Sequence, residues 1–315
     1  VRNSGSCIAG ADFDRDGDID LFVGGRLKPQ HYPLAGKSQL LINEGGKFKD
    51  QSDILASGLS DAGMVTSALW TDLDRDGLLD LIIAGEWMDI TLFRNNGKSF
   101  TKQNISGTSG WWNSLTGADI DEDGDTDYIL GNLGLNSRFK ASADEPARLY
   151  LADFNGDGTQ DPLRSEFIDG VEYPAHPRDD FFLQMIQYKK RFPSYASYSN
   201  ITMEELLAEN NVNPRIFEAK TFASGVLINN GSAAWKLTPL PIEAQFGPVN
   251  GIVAEDFNND NHLDLMITGN SYSTEVLTGQ YDAQPGILLL GDGTGKFKSL
   301  KRNLAGTLPD GNTRG

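Results

Sequence analysis

Short apolar runs separated by polar turns recur along most of the chain. Residues 19–23, 79–83 and 263–267 are examples, since each is rich in Leu, Ile or Val and ends within two residues of a glycine. Runs of four to eight residues bounded by turn residues are typical of β-strands. This pattern predicts an all-β chain.

A second element follows these runs: an apolar strand, a turn of Asn, Asp or Gly, and an aromatic residue that opens the next strand. It occurs at residues 41–48, 92–100, 227–235 and 289–297. The combination is typical of a β-hairpin. Each repeat therefore contains four antiparallel strands, and such repeats at intervals of about 40 to 60 residues predict the blades of a β-propeller.

Residues 177–222 depart from this pattern. Phe181 begins a helical stripe that ends at Phe192, and Thr202 and Glu205 form a capping box. We predict a helical insertion packed on the propeller. The predicted domains are listed in chain order: propeller blades at 1–176, the insertion at 177–222, and propeller blades continued at 223–315.

An acidic nine-residue motif occurs five times between predicted strands. The copies are DFDRDGDID (12–20), DLDRDGLLD (72–80), DIDEDGDTD (119–127), DFNGDGTQD (153–161) and DFNNDNHLD (256–264). Positions 1, 3, 5 and 9 are always Asp or Asn, and position 6 is Gly in four copies. Only 34 residues separate the starts of the third and fourth copies, which is too short for a blade. The fourth copy is therefore expected on a hairpin of the third blade or in a degenerate blade.

Carboxylates on alternate residues of a tight turn can converge on one hard cation, and Ca²⁺ takes 6 to 8 oxygen ligands. Position 7 would add a backbone carbonyl, and position 6 suits a positive φ, which Asn261 also tolerates. We predict up to five structural Ca²⁺ ions. The candidate ligands are Asp12, Asp14, Asp16, Asp18, Asp20, Asp72, Asp74, Asp76, Leu78, Asp80, Asp119, Asp121, Asp123, Asp125, Asp127, Asp153, Asn155, Asp157, Thr159, Asp161, Asp256, Asn258, Asp260, His262 and Asp264.

Two other interpretations of the motif are less favourable. An EF-hand needs a bidentate Glu at position 12 between two helices, whereas this chain has Val23 or another non-acidic residue there and strand-like flanks. An acidic turn that binds nothing would leave clustered carboxylates to repel one another.

The DxDxDGxxDL loops, with Phe246, Gly247 and Pro248 ahead of the fifth, resemble the FG-GAP or VCBS repeats of integrin α-subunit propellers. More narrowly, the chain is similar to Bacteroidetes FG-GAP-like proteins of the ASPIC/UnbV and cartilage acidic protein group. The segments that carry this similarity are GGR (24–26), GEWM (85–88), GWW (110–112), GNLGLNSRF (131–139) and LPIEAQFGPV (240–249). The resemblance covers nearly the whole chain. It implies a propeller of which four to five blades are visible, against the seven typical of the family.

The segment after strand two of each blade emerges on the face opposite the metal loops. Aromatic rings interleaved with Arg, Glu and Asn suit a sugar or a peptide, because flat apolar faces stack and planar polar groups orient. The candidate ligand-binding residues are Arg26, Glu86, Trp87, Trp111, Trp112, Asn132, Asn270 and Tyr272. The other interpretation is that Trp87 and one of Trp111 and Trp112 pack between blades.

The sequence shows little sign of catalysis. The three histidines are scattered, and no catalytic residue is assigned. Tyr173, His176, Arg178 and Asp179 could line a polar pocket, or simply form a turn that caps the first helix of the insertion. We predict an adhesion-type module that binds an extracellular protein or glycan, with a calcium-dependent polysaccharide-degrading enzyme as the alternative.

Charge narrows the class of partner. The chain has 44 Asp and Glu against 27 Lys and Arg, a formal charge of −17, and no run of 18 apolar residues. Such a surface repels phosphate backbones, so nucleic acid is excluded as a partner, and no direct membrane insertion is expected. Sites without a bidentate Glu bind Ca²⁺ weakly, which favours an extracellular or cell-surface location, secreted or associated with an outer membrane.

Overall fold

The strands of the chain form five antiparallel sheets, joined by loops and a few short helices. The computed structural model describes residues 4–210, 212–231, 235–272, 274 and 278–306. The hairpin predicted at 227–235 lies partly outside these described residues. Its two strands are present on either side of the gap.

Sheets 1 and 2 each contain four neighbouring strands in chain order, and sheet 2 has a fifth, short strand. Sheet 1 consists of β1 (Ser4–Ala11), β2 (Asp20–Leu27), β3 (Gln39–Asn43) and β4 (Phe48–Asp50). After the short helix α1 (Ser52–Leu55), sheet 2 consists of β5 (Met64–Thr71), β6 (Asp80–Met88), β7 (Thr91–Asn95) and β8 (Phe100–Asn104). The two-residue strand β9 (Gly110–Trp111) pairs with the end of β6.

Sheet 3 is interrupted in sequence by a fourth sheet. Its first half is β10 (Ser114–Ala118) and β11 (Asp127–Gly131). The inserted sheet consists of β12 (Ala147–Ala152), β13 (Asp161–Ile168), β14 (Val171–Pro174) and β15 (Arg215–Ala219), in the spatial order β14-β13-β12-β15. Sheet 3 then ends with β16 (Gly225–Ile228) and β17 (Lys236–Pro239). The fourth acidic motif thus lies in a sheet of its own, whose strand order differs from that of a blade.

Sheet 5 repeats the pattern of sheets 1 and 2. It contains β18 (Gly251–Glu255), β19 (Asp264–Thr268), β20 (Ile287–Gly291) and β21 (Phe297–Ser299). A 3₁₀ turn at Ile242–Gln245 precedes it.

The sheets pack face to face as propeller blades do. The first strands lie side by side in the order β1, β5, β10, β18. On β6, Leu81 and Ile83 pack towards sheet 1, while Ile82 packs towards sheet 3. Both faces of a central strand are therefore buried, because alternate side chains point to opposite faces. This arrangement is all-β and propeller-like, and closure into a seven-bladed ring stays a prediction.

The helices of the insertion are shorter than the stripe predicts. They are α2 (Arg178–Gln184), a 3₁₀ turn (Ile186–Lys190), α3 (Tyr195–Tyr198) and α4 (Met203–Asn210). The predicted capping box is confirmed: the Thr202 N–H donates to Glu205 Oε2 at 3.0 Å, and the Glu205 N–H donates to Thr202 Oγ1 at 3.2 Å.

The expectation that the helices pack on the propeller is wrong. Phe181, Met185 and Tyr188 pack on Tyr150 and Leu163, on one face of the inserted sheet. The other face of that sheet covers the blades. The inserted sheet therefore lies between the helices and the propeller-like part.

Candidate metal centres and the opposite face

Each acidic motif joins the first two strands of a hairpin. We call these segments metal loops 1 to 5, which are residues 12–20, 72–80, 119–127, 153–161 and 256–264. Loop 1 joins β1 to β2, and loops 2, 3, 4 and 5 do the same for β5–β6, β10–β11, β12–β13 and β18–β19. The predicted strand, loop, strand unit is confirmed, and no EF-hand helices flank these loops.

All five loops share one hydrogen-bond pattern. The carboxylate at position 1 accepts the N–H of position 6, at 2.8 Å from Gly158 and 3.2 Å from Gly17 at the extremes. The carboxylate at position 5 accepts the N–H of position 7, at 2.7 to 2.9 Å. Side chains at alternate positions are thus held towards the inside of the turn.

Two residues of each loop have a left-handed backbone. Position 6 has φ between 70° at Asn261 and 93° at Gly17, as the sequence predicts. Position 4 is left-handed as well, although it is Arg15, Arg75 or Glu122 in the first three loops. The left-handed backbone at position 4 is not predicted from the sequence. Only loops 4 and 5 have Gly or Asn there, the residues that favour a positive φ.

The aspartate at position 9 is buried in every loop. In loops 2 and 3, one oxygen of Asp80 or Asp127 accepts the N–H of position 2, at 2.9 and 3.0 Å. The other oxygen accepts an N–H from the third strand, that of Asn95 at 2.6 Å and of Asn229 at 2.8 Å. Burial raises the pKa of both carboxyls to about 6, against the opposing effect of these N–H donors.

The donor set fits a hard cation. In loops 1 to 3, three carboxylates each offer an oxygen within 4.8 Å of the others. Within the metal loops, the buried carboxylate oxygens that lack a hydrogen-bond partner are Asp20 Oδ2, Asp72 Oδ1, Asp119 Oδ1 and Asp121 Oδ1. Unpartnered buried oxygens are costly unless a ligand satisfies them. In loops 4 and 5, Asn155 and Asn258 offer amide oxygens instead.

Side chains at position 4 reach from one loop to the next. Arg15 of loop 1 donates to the Gly77 carbonyl of loop 2. Arg75 of loop 2 donates to the Asp123 carbonyl at 3.0 Å and pairs with the carboxylate of Asp125, both in loop 3.

Loops 3 and 5 are joined in the same way. Glu122 Oε1 lies 2.5 Å from Nδ1 of His262. This hydrogen bond is the main cause of the raised pKa of His262. Contacts from position 4 therefore connect loops 1, 2, 3 and 5 in a row.

The opposite face brings several predicted ligand residues together. Arg26 and Glu86 form a salt bridge of 2.7 Å. Trp87 donates from Nε1 to the Tyr32 hydroxyl at 2.7 Å and stacks edge-on against Trp111, with 5.0 Å between ring centroids. These residues are neighbours in space, as the blade geometry predicts.

Other predicted ligand residues lie inside the protein. Trp112 is fully buried and donates from Nε1 to the Thr108 carbonyl at 2.9 Å. Asn132 accepts the Trp111 N–H at 3.1 Å, and Asn270 is 1% exposed. Tyr272 is 37% exposed. Asn132 and Asn270 thus hold the segments after strand two in place, and Trp112 fixes the segment that precedes β10.

The inserted sheet covers the aromatic face. Trp111 packs against Phe139 at 5.1 Å and Phe222 at 4.9 Å. Leu149 of β12 belongs to the same buried cluster. The face expected to be open to a ligand is therefore largely occupied by the chain itself, since two apolar surfaces are buried against each other.

A cavity remains at the edge of this contact. It has a volume of about 740 Å³ and lies between blades 1 and 2 and strand β15. Its lining includes Lys28, Asp61, Glu86, Trp87, Arg215 and Lys220. Of these residues, only Glu86 and Trp87 are predicted from the sequence as ligand-binding residues. The residues of β15 line the cavity because of the way the inserted sheet folds, which is not predicted from the sequence.

The polar cluster at the start of the insertion has structural contacts. His176 Nε2 accepts the Arg164 N–H at 3.2 Å. Arg178 donates to the Phe192 carbonyl at 2.9 Å and pairs with Asp179 at 2.7 Å. These contacts attach α2 to its surroundings, but no side chain caps its N-terminus at Pro177, so the structure does not bear out the interpretation of a capping turn. Among the described residues, no helix is long and apolar enough to span a bilayer.

Comparisons with known proteins agree with the repeats. Residues 12–83 and 72–130 match the family model described as FG-GAP-like repeat. None of the curated proteins compared with the chain matches it. The narrower similarity to the ASPIC/UnbV and cartilage acidic protein group stays a prediction.

Two solved structures are similar to most of the chain. One is the biofilm matrix protein Bap1 of V. cholerae, with 18% identity and a TM-score of 0.39 over 99% of this chain and 41% of that chain. The other is the exotype rhamnogalacturonan lyase YesX, with 11% identity and a TM-score of 0.35 over 93% of this chain and 48% of that chain. The chain spans less than half the length of either. The family match spans residues 12–130 and includes metal loops 1 to 3, so this part of the chain consists of FG-GAP-like repeats.

Proposed function

We propose that the chain is a calcium-binding, adhesion-type module that acts outside the cell or at the cell surface. The observation that carries this proposal is the five-fold repetition of one loop geometry, with unpartnered buried carboxylate oxygens in loops 1 to 3. Ca²⁺ would be held by the side chains at positions 1, 3, 5 and 9 and by the position-7 carbonyl. When bound, Ca²⁺ would neutralise the carboxylates of the loop and so stabilise the turn that joins strand one to strand two.

Extracellular calcium suits these sites. A carboxylate count of three or four per loop, without a bidentate Glu, is typical of weak sites that fill at millimolar Ca²⁺. The family match and the acidic surface agree with such a setting. We therefore place the working environment outside the cytosol.

Calcium titration tests the metal part of the proposal. We expect calorimetry on chelator-treated protein to show up to five bound Ca²⁺, with Mg²⁺ binding much more weakly, and the melting temperature to rise with Ca²⁺. Asp72→Asn combined with Asp74→Asn should remove one ion. If Ca²⁺ neither changes the melting temperature nor produces heat in the titration, the proposal is wrong.

The cavity is the place where a ligand fits. Its volume is within the 300 to 1,000 Å³ of ordinary ligand sites. Lys28, Arg215 and Lys220 form no salt bridge with any described residue. The Arg215 guanidinium is held 4.7 Å from the Phe217 ring. The lining also contains Asp61, Asp89 and Glu218. Cations that donate to carboxylates, placed beside carboxylates that accept from hydroxyl groups, suit a glycan that carries both groups.

A binding screen tests this site. We expect a carboxylate-bearing glycan such as an oligogalacturonate to bind wild-type protein, and the double variant Arg215→Ala, Lys220→Ala to lose most of that binding. Lys47→Ala, at an exposed turn of sheet 1, is the matched control and should bind normally. If the protein binds only an acidic peptide, the glycan proposal is wrong and the partner is a protein. Release of shortened sugars would support the enzymatic alternative.

A further inference from the structure

The four metal loops of the blades are joined to one another by two sets of contacts at every blade junction. The first set comes from position 4: Arg15 on loop 2, Arg75 on loop 3, and Glu122 on loop 5. These side chains contact positions 5, 6 or 7 of the next loop, the part of the turn that includes the candidate carbonyl ligand. Their own backbone is left-handed, so the conformation of one loop decides where its position-4 side chain points.

The second set comes from the end of the third strand and the turn that follows it. Asn95 donates its backbone N–H to Asp80 of loop 2 and its side-chain amide to the Phe13 carbonyl of loop 1, at 3.2 Å. Asn229 does the same between Asp127 of loop 3 and the Leu73 carbonyl of loop 2, at 3.0 Å.

The junction of loops 3 and 5 uses backbone groups for this second set. The Gly295 N–H donates to the Ile120 carbonyl of loop 3 at 3.2 Å, and the Gly291 N–H donates to Asp264 of loop 5 at 2.9 Å. Position 2 of one loop is thereby tied to position 9 of the next at three successive junctions.

Loop 4 lacks these links among the described residues. Its position 4 is Gly156, which has no side chain to reach another loop. Its Asp161 accepts instead from the Gln184 amide at 3.3 Å, and its Asn155 donates to the Gln184 carbonyl at 3.4 Å. Loop 4 is therefore connected to the helices of its own insertion.

We propose that loops 1, 2, 3 and 5 bind Ca²⁺ cooperatively and that loop 4 binds independently, with Arg15, Arg75 and Glu122 as the positioning residues. This inference rests on the proposed function. An ion that orders one loop fixes the left-handed backbone of position 4, which places its side chain on the next loop and orders that loop in advance. Coupling of this kind is reciprocal, so each ion favours the binding of its neighbours.

The cooperativity of Ca²⁺ binding distinguishes a positioning role of Arg15, Arg75 and Glu122 from a purely electrostatic effect of their charges. Removing an arginine near a metal loop also removes a positive charge, which by itself strengthens Ca²⁺ binding. Affinity alone therefore does not report coupling. Arg94 offers a matched control, because it pairs with Asp74 of loop 2 at 3.1 Å, within its own blade.

The experiment is a Ca²⁺ titration of the full chain after chelation, with bound ions counted by equilibrium dialysis. We expect a Hill coefficient clearly above 1 for wild-type protein and for Arg94→Gln, and a much lower coefficient for Arg15→Gln combined with Arg75→Gln, with the same number of ions, because two of the three position-4 contacts are then lost. Glu122→Gln, a nearly isosteric change, should lower the coefficient by less, since it affects one junction.

Each other result has a definite meaning. Non-cooperative binding by wild-type protein, or an unchanged coefficient in both junction variants, overturns the coupling and leaves calcium binding standing. A chain that binds no Ca²⁺ overturns the proposed function and the coupling together.

Discussion

The aspartate at position 9 is the residue that joins a metal loop to its blade. In loop 3, Asp127 accepts one N–H from Ile120 within the loop and one from Asn229, the residue directly after β16. A carboxylate is needed here because both oxygens face donors, and an amide would present its own NH₂ to one of them. The same residue is thus a candidate metal ligand and a link between three strands.

Replacing Asp127 by alanine should destabilise the protein even without metal. The change leaves two buried N–H groups without acceptors, each costing about 1–3 kcal/mol. We expect a loss of about 3 kcal/mol in the free energy of unfolding, measured by urea denaturation in the presence of a chelator.

Position 5 of the same loop supplies the control. Asp123 is exposed, and its carboxylate accepts only the nearby Asp125 N–H. Asp123→Ala should cost less than about 1 kcal/mol in chelator but should weaken the stabilisation by Ca²⁺. Equal losses for the two variants in chelator would contradict the structural role of position 9.

The inserted sheet is the element that changes what the aromatic face can do. Its strand order, β14-β13-β12-β15, places β15 against the ends of β6 and β9. One face carries Leu149 and Phe217 towards Trp87 and Trp111, while the helices cover the other face. Among the described residues, the large aromatic rings of this face are buried by packing within the chain, while the cavity beside β15 stays open.

Truncating Phe222 should loosen this contact. Phe222 is 1% exposed and lies 4.9 Å from Trp111, so Phe222→Ala opens a cavity and should cost about 3–5 kcal/mol. We expect a lower urea midpoint and altered tryptophan fluorescence. Phe48→Ala, at a site 49% exposed, is the control and should change both little. An unchanged midpoint for Phe222→Ala would mean that the inserted sheet is not held by this cluster.

The sequence predicts the elements better than their assembly. The position-6 glycines, the hairpin turns and the capping box of Thr202 are local signals, because each depends on residues within a few positions. The partners of β12 and β15 depend on contacts between residues about 70 apart in the chain, such as Leu149 with Phe217. No local pattern reports such pairing, which explains why Trp111 is expected on an open face and is found under the insertion.

At the scale of the whole molecule, charge and metal are linked. Position 9 and the neighbouring carboxylates of each loop concentrate negative charge along one row of loops, within a chain of formal charge −17. Five Ca²⁺ ions, which carry ten positive charges, would change this to −7, a value ordinary for a soluble domain. Without them, self-repulsion between loops opposes the compact state.

Salt should therefore stabilise the metal-free protein more than the calcium-loaded one. Added NaCl from about 20 to about 200 mM shortens the Debye length and screens repulsion between exposed carboxylates. We expect the melting temperature in chelator to rise by several degrees over this range, and the melting temperature in millimolar Ca²⁺ to rise much less. Choline chloride at equal ionic strength is the control for specific Na⁺ binding, and it should act like NaCl. Equal salt dependence with and without Ca²⁺ would show that loop repulsion contributes little to the stability of the fold.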